Sequence, residues 1–365
     1  MCSGKTLAFQ ANDAGSIPAA RSSYIFRPKQ VSMSLFNRRK AAERFVSRNP
    51  ADDETSCVFV GPKGLMMHCN VHQPLPNEYN ERFAPKAIKR HKPGGSIFVH
   101  QSAIKHFVRR SLPKIRDPFV LVSGDCDHAV GPERLGEALN TVLNHPLLIA
   151  WYSQNLAIDH PKIHPMAIGL DYHTMKYGRV PEWGPTASPR AQEDTLHTTR
   201  LFSSPLQDRT PLGYSNWHFK PGNGDRAQVI KRFPKDASYF EPQVTERAES
   251  WRRNSKYFFT ISPQGVGMDC HRTWEAILLG STPIIPDLPI NRLFETLPVV
   301  IIQDWAQITP EFLKAEKQRI LSQTFDFAPM LLETWRRKID QRSDLPELRM
   351  RYQDFMALGP SDLRF

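Results

Sequence analysis

The chain contains little cysteine and no long apolar run. Its 365 residues include five cysteines at scattered positions, without a Cys-x-x-Cys pair, which argues against a disulfide framework and a cysteine zinc cluster. A membrane-spanning helix needs about 18 consecutive apolar residues, whereas even the longest apolar runs are short, such as residues 297–302. We therefore expect a protein of a reducing compartment without a membrane-spanning helix.

Acidic residues are also scarce relative to basic ones, and the basic excess is concentrated at one end. The net charge is +11, and residues 1–50 hold nine Lys or Arg against two acids, a surplus of seven that leaves four for the rest. A nearly neutral remainder weakens a nucleic-acid-binding interpretation based on charge. We predict a basic, disordered leader at residues 1–54, with a basic helix over residues 33–50; an RNA- or membrane-binding arm is the alternative.

Short apolar segments alternate with helix-like segments beyond residue 55. Apolar runs without strict alternation are typical of strands covered on both faces, which predicts an α/β fold. We predict two α/β domains at residues 55–185 and 211–340, a loop-like proline-rich linker at 186–210 and a helical tail at 341–365. The predicted strands are residues 58–60, 96–100, 119–123, 147–151, 212–217, 257–261, 282–285 and 299–302, and helices begin near Arg226 and Cys270.

The segment YFFTISPQGVGMDCHRTWEAILLGSTPIIPD, residues 257–287, is the most informative. Its order is strand, glycine loop, helix and strand. Gly265 and Gly267 permit a tight turn and close approach to a ligand, Asp269 is a predicted N-cap, and Gly280 is placed where a glycine ends a helix. A helix that begins behind such a loop, at the carboxyl end of a strand, is where open α/β sheets bind phosphates.

Helical periodicity separates two faces of the predicted helix. His271, Arg272 and Glu275 fall on one arc, and the apolar face carries Trp274, Ile277 and Leu278. Arg272 near the positive end of the helix suits a diphosphate, and Glu275 could accept hydrogen bonds from a ribose diol. The alternative is a solvated face with an Arg–Glu pair three residues apart.

These residues resemble the donor-binding motif of exostosin-type glycosyltransferases and their relatives. The matching positions are Pro263, Gly265, Arg272, Glu275, Gly280 and Pro283. The resemblance implies a GT-B fold, in which two Rossmann-like domains face a cleft, and an inverting, metal-independent transfer from a nucleoside-diphosphate sugar to a glycan or other hydroxyl acceptor. The donor is a substrate, so no cofactor is implied. Arg272 would hold the diphosphate and Glu275 the ribose, with Gly265, Gly267, Asp269 and His271 around the donor.

Other site candidates depend on sheet position. Asp125, Asp127 and His128 follow a predicted strand, and a close pair of carboxylates can raise one pKa toward that of a useful general base; capping of a turn is the alternative for both aspartates. We predict Asn155 and Asp171 on the acceptor side, with turn formation as the alternative for each, and Arg226 as a further phosphate contact. Asn216 and Trp217 could border a base pocket, although Trp217 is rather expected in the core. The cluster Trp251-Arg252-Arg253 is expected at a solvated helix end.

Rival functions remain open. Asp125-Cys126-Asp127 is also the Asp-x-Asp pattern with which GT-A glycosyltransferases hold a metal ion. A non-catalytic protein that binds sugar nucleotides or glycans is another alternative, as is a nucleic-acid binder that uses the basic arm. The leading interpretation includes no nucleic-acid partner. It also includes no metal site, because the histidines lack the spacing of metal ligands. It predicts a cytoplasmic protein, or one peripheral to a membrane, and leaves the oligomeric state open.

Overall fold

Two parallel β-sheets position the polar residues of interest. The computed structural model describes residues 53–72 and 81–365. The predicted helix over residues 33–50 therefore lies outside the described residues. So does the predicted leader over residues 1–54, apart from residues 53 and 54. The described residues belong to one compact unit that spans residues 46–365.

The first sheet has four strands in the spatial order β1-β2-β3-β4, all parallel. β1 and β2 are buried at every position, as expected for strands covered on both faces. The strands are β1 Ser96–His100, β2 Phe119–Gly124, β3 Leu148–Ser153 and β4 Ile163–Pro165.

The second sheet has five parallel strands in the spatial order β6-β5-β7-β8-β9. Its strands are β5 Thr210–Ser215, β6 Ser238–Phe240, β7 Tyr257–Ile261, β8 Thr282–Pro286 and β9 Val300–Ile302. The chain moves from β5 to one side and then returns to form β7 on the other, so strand order reverses between them. In open α/β sheets, ligands bind at such a reversal, beyond the carboxyl ends of the strands.

Helices surround both sheets, and a small antiparallel pair follows them. That pair is β10 Thr324–Asp326 with β11 Arg349–Arg351. The helices are α1 Pro62–His68, α2 Ile104–Arg110, α3 Pro132–Leu135, α4 Glu137–Leu143, α5 His173–Lys176, α6 Pro189–Leu201, α7 Arg226–Arg232, α8 Arg247–Asn254, α9 His271–Leu278, α10 Pro310–Ser322, α11 Leu332–Ile339 and α12 Tyr352–Ala357. The predicted α/β class with parallel sheets is confirmed, and the architecture is compatible with a Rossmann-like fold. Within residues 53–72 and 81–365, no helix is long and apolar enough to cross a bilayer.

The helix α9 has the two faces predicted for it. Trp274, Ile277 and Leu278 are fully buried, whereas His271, Arg272 and Glu275 are only partly buried. Gly280 has a φ of +73°. Its N–H donates to the Ile277 carbonyl and the Ser281 N–H donates to that of Ala276, which is the Schellman ending that favours glycine.

Three local predictions are wrong. Residues 58–60 form only an isolated bridge between Phe59 and Leu331. The predicted linker contains the 13-residue helix α6, because Pro189 occupies a first-turn position, where proline is tolerated, after the capping Ser188. The tail from residue 341 is not mainly helical, since it holds β11 and the six-residue α12.

Two short strands, β4 and β6, escaped prediction, since each has only three residues. The helix α6 also contributes to the core around residues 58–59. The buried Glu193 carboxylate accepts hydrogen bonds from the Val58 and Phe59 N–H groups, at 2.9 Å for each shortest contact. The prediction of two domains with a linker between them stays a prediction.

Candidate functional site

A cleft of about 450 Å³ lies at the carboxyl edge of the second sheet. Its second-sheet wall includes the loop after β7 and the residues that follow β5, and its first-sheet wall includes Asp127, Ile168 and Asp171. The predicted site residues that line it are Asp127, Asp171, Arg226, Gly265, Gly267, Asp269, His271, Arg272 and Glu275. The cleft therefore occupies the strand-order reversal between β5 and β7.

Two arginines lie near one tryptophan in this cleft. The guanidinium carbons of Arg226 and Arg272 are 5.8 Å and 5.9 Å from the Trp217 ring centroid. The Trp217 Nε1–H donates to the Ile261 carbonyl at 2.7 Å, at the end of β7. Trp217 is 7% exposed, so the predicted core residue is also a cleft residue. It holds two cations close together at the sheet edge.

Neither arginine has an acidic partner among the described residues. Arg226 donates to the Lys220 carbonyl at 3.2 Å, and Arg272 donates to the Pro263 carbonyl. The Nε atom of each is buried without a hydrogen-bond partner in this part of the chain. Burial and repulsion by Arg272 lower the pKa of Arg226 to about 10, so Arg226 remains charged at neutral pH. Their charge favours an anion.

Glu275 is engaged by groups from α8. It forms an ion pair with Arg247, and its Oε2 accepts a hydrogen bond from Trp251 Nε1 at 3.1 Å. Arg247 is 5% exposed, and its guanidinium carbon lies 5.3 Å from the Trp183 ring centroid and 4.7 Å from that of Trp251. The prediction of Trp251 at a solvated helix end is wrong, because this tryptophan is buried and packs against the cleft.

Asp269 does not cap α9. Cys270 occupies the N-cap position without a side-chain capping hydrogen bond, and the buried Asp269 carboxylate accepts from Ile168 N–H at 2.8 Å and from Trp274 Nε1 at 2.7 Å. Burial raises the pKa of Asp269 to about 6, and these two donors oppose that rise. The side chain therefore connects the glycine loop to the first sheet, a tertiary role that local spacing does not encode.

Asn155 and Gly267 belong to the same contact between the glycine loop and the first sheet. The Asn155 Oδ1 accepts from Asp269 N–H at 2.9 Å, and its Nδ2 donates to the Cys126 carbonyl at 3.1 Å. A Cβ at Gly267 would lie 2.9 Å from Asn155 Oδ1, so glycine is required here by packing. Asn155 is fully buried and outside the cleft lining. Because Asn155 has no surface in the cleft, it does not make the predicted contact with an acceptor there.

The three predicted catalytic residues are not equivalent. Asp125 is buried, has a φ of 62° and forms an ion pair with Lys63. Asp127 is exposed and lines the cleft. His128 is exposed but does not line it. The structure thus brings only Asp127 to the cleft.

Asp171 lies against two histidines. Its Oδ1 is 3.2 Å from His173 Nδ1 and accepts from Thr174 N–H at 2.9 Å. Burial would raise the pKa of Asp171, but His173, His271 and Arg247 hold it below its ordinary range. Burial lowers the pKa of His173, opposed by Asp171. The carboxylate is therefore ionised across the ordinary pH range.

Sequence reasoning missed Lys63, Trp183 and Arg247. Arg247 and Trp251 are four residues apart and share one helical face, a spacing that could have indicated a common contact. The partner Glu275 lies 28 residues away in sequence, so no local pattern identifies the ion pair. A scan against protein-family models and a search of curated proteins both find no match to this chain.

Proposed function

We propose that this chain is a GT-B-type glycosyltransferase, as its resemblance to exostosin-type enzymes implies. It would transfer a sugar from a nucleoside-diphosphate donor to the hydroxyl group of a glycan or another acceptor. The observation that carries this proposal is the pair Arg226 and Arg272, which share Trp217 beside a glycine loop and have no acidic partner in the described part of the chain. The proposed partners are the nucleotide-sugar donor and the hydroxyl acceptor, and the proposed location is the cytoplasm.

The arginine pair suits the leaving diphosphate. Sugar transfer by this route breaks the bond between the anomeric carbon and the diphosphate oxygen, so negative charge develops on that oxygen. Guanidinium groups can donate paired hydrogen bonds to phosphate oxygens, and preorganised donors stabilise charge that grows in the transition state. Two cations already in place supply this stabilisation without a metal ion.

The aromatic side chains near the arginines suit the nucleoside. Trp183, Trp217, Phe219 and Trp251 line the same cleft, and aromatic rings provide faces for a base. Glu275 also lines it, with Arg247 and Trp251 fixing its carboxylate. Each carboxylate oxygen has more than one acceptor position, so Glu275 can still accept hydrogen bonds from a ribose diol.

Asp127 is the proposed general base. It lines the cleft from the first-sheet wall, where an acceptor hydroxyl would approach a donor held by the second-sheet wall. A base takes the hydroxyl proton as the oxygen attacks the anomeric carbon. Asp171 remains the acceptor-side contact from the predicted set, because it also lines this wall.

The GT-A alternative has less structural support. Its metal would need both Asp125 and Asp127, yet the Asp125 carboxylate is buried against the Lys63 ammonium group. Competition by this cation disfavours a second cation at the same carboxylate. The non-catalytic alternative makes the same nucleotide-binding prediction, so transfer or donor hydrolysis must separate the two.

The test measures thermal stability with UDP, GDP, ADP and CMP, each with and without EDTA. A nucleotide at about 100 times its dissociation constant stabilises a protein by about 2.7 kcal/mol. We expect one nucleoside diphosphate to raise the melting temperature in EDTA, and Arg272→Ala to abolish the shift. Arg252→Ala is the matched control, because Arg252 is 62% exposed and lies outside the cleft.

The outcomes separate the candidate functions. A shift that needs Mn²⁺ would contradict the metal-independent proposal, and so would the absence of a shift with every nucleotide. A shift without transfer or hydrolysis of the corresponding nucleotide sugar, across a panel of sugars and acceptors, would favour the non-catalytic protein.

A further inference from the structure

A second set of polar groups lies where the segment that follows β4 meets the start of α9. Asp171 lies two residues before α5, His173 is the first residue of α5, and His271 is the first residue of α9. One potential ligand atom from each lies within 4.8 Å of the others. The set joins one carboxylate with two imidazoles, groups that favour zinc and related transition metals.

The imidazole of His271 is held in a defined tautomer. Its Nδ1 lies 2.7 Å from the Gly169 carbonyl oxygen. A carbonyl can only accept, so Nδ1 carries the hydrogen and a neutral ring keeps its lone pair on Nε2. Donation of the other ring nitrogen to a backbone carbonyl is the support that metal-binding histidines usually have.

His173 and Asp171 are positioned but not fully bonded to each other. His173 Nδ1 is 3.2 Å from Asp171 Oδ1, but it is buried and makes no hydrogen bond of good geometry to any described residue. The Thr174 N–H fixes the Asp171 carboxylate at 2.9 Å, and Arg247 donates to the Asp171 carbonyl at 2.5 Å. His173 Nδ1 is therefore a buried nitrogen without a hydrogen-bond partner among the described residues. A bound metal ion would satisfy this atom.

The two imidazole rings have a suitable mutual arrangement. Their centroids are 5.7 Å apart and their planes meet at 63°. Two imidazoles on a tetrahedral zinc, with Zn–N bonds of about 2.0–2.1 Å, place their centroids about 5 Å apart. The observed spacing is close to this value.

The nearby cations are already neutralised. Lys63 and Arg247 act electrostatically on this cluster, but Lys63 pairs with Asp125 and Arg247 with Glu275. A divalent ion would therefore meet little uncompensated positive charge from these two groups. Asp171 and His271 also line the cleft.

We propose that Asp171, His173 and His271 bind one divalent transition-metal ion, with zinc favoured by the donor set, and leave a coordination position open to the cleft. Three protein ligands and an open position are typical of zinc sites that take up water or a substrate oxygen. This inference does not depend on the proposed transfer reaction, because the arginine pair that would bind the diphosphate is a separate set of residues.

The test uses the full chain with any affinity tag removed. The protein is stripped with a chelator, dialysed, reloaded with Zn²⁺ or Co²⁺, and assayed for bound metal by atomic emission. We expect one ion per chain, a rise in melting temperature, and a visible Co²⁺ spectrum typical of low coordination number. His173→Ala and His271→Ala should each abolish all three, and Asp171→Asn should weaken binding.

His68→Ala is the matched control. His68 also lies beside an aspartate, with its Nε2 3.0 Å from Asp340 Oδ1, but it belongs to no cluster of three ligands in the described ranges. Its metal content should equal that of the wild type. Equal metal in His173→Ala, His271→Ala and the wild type would overturn the assignment.

The spectrum of the wild type keeps the proposal testable if a variant does not fold. Absence of bound Co²⁺ and Zn²⁺ in the folded wild-type chain would refute the site directly. Nucleotide binding is measured separately in EDTA. A negative metal result therefore leaves the proposed transferase standing, and a negative nucleotide result leaves the metal site standing.

Discussion

The paired and unpaired charges around the cleft have different structural roles. Arg247 is bound to Glu275, and Lys63 to Asp125, and these pairs are largely buried. Arg226, Arg272 and Asp127 line the same cleft without an ion pair among the described residues. Removing one member of a buried pair leaves an uncompensated charge, whereas an unpaired charge contributes little to folding. We infer that the paired charges stabilise the fold and the unpaired ones are available to a ligand.

Arg247→Ala should have the largest effect on stability. It leaves Glu275 without its guanidinium partner and removes a cation that lies near the rings of Trp183 and Trp251. Breaking a buried pair typically costs about 3–5 kcal/mol, which urea denaturation would measure. Arg252→Ala, on the same helix, removes a largely exposed pair with Glu249 and should cost about 0–1 kcal/mol. Equal losses in the two variants would contradict the distinction.

Asp127→Asn should affect turnover without affecting stability or nucleotide affinity. Loss of a general base typically lowers the rate by about 100-fold or more, and the exposed Asp127 forms no ion pair within the part of the chain that the structure describes. The measurement is kcat for transfer with the nucleotide sugar identified by the binding screen. Asp159→Asn is the control, since Asp159 is 85% exposed and lies outside the cleft. Retention of more than a tenth of the wild-type rate would exclude Asp127 as the base.

Asp269 is an intermediate case, because it is buried and hydrogen-bonded but forms no ion pair with any described residue. Burial raises its folded-state pKa to about 6, above an unfolded value of about 3.9. The folded chain therefore holds the proton more tightly, and the stability linked to it is present at low pH and lost as pH rises through 6. The expected slope is on the order of 1 kcal/mol per pH unit within that window.

Asp269→Asn isolates this contribution. The free energy of unfolding is measured by denaturant titration for both proteins between pH 4 and 7. The wild type should lose its advantage over the variant, or increase its deficit, as the pH rises from about 4 to about 6. A constant difference across this range would show that the carboxyl group has the same pKa in both states.

The sequence was sufficient to predict the elements whose signals are local. The strands β1 and β7 have the predicted bounds, because a strand covered on both faces is a short continuous apolar run. The helix α9 presents the predicted faces, because burial of one side imposes a helical period that a short segment displays. Gly280 ends α9 for an equally local reason, its positive φ. These features put Arg272 and Glu275 on one helix face before any tertiary contact is considered.

Predictions failed where a distant residue decides the outcome. Asp269 has the composition of an N-cap, but the Ile168 N–H reaches it across 101 positions of sequence. Asp125 follows its strand as expected, yet its carboxylate forms an ion pair with the ammonium group of Lys63, 62 residues earlier. Such contacts depend on how distant segments pack together, and no periodicity within either segment encodes them.

Arg226→Ala should have the smallest effect and provides the sharpest comparison with Arg247. Its removal relieves repulsion with Arg272, so the free energy of unfolding should stay the same or rise slightly. Loss of one of two phosphate contacts should weaken nucleotide affinity by about tenfold, equivalent to about 1.4 kcal/mol. Titration calorimetry measures the affinity, and Arg232→Ala on the same helix is the control, because Arg232 is half exposed and pairs with Asp304. If Arg226→Ala destabilised the fold as Arg247→Ala does, Arg226 would belong with the structural charges, and the anion site would rest on Arg272 alone.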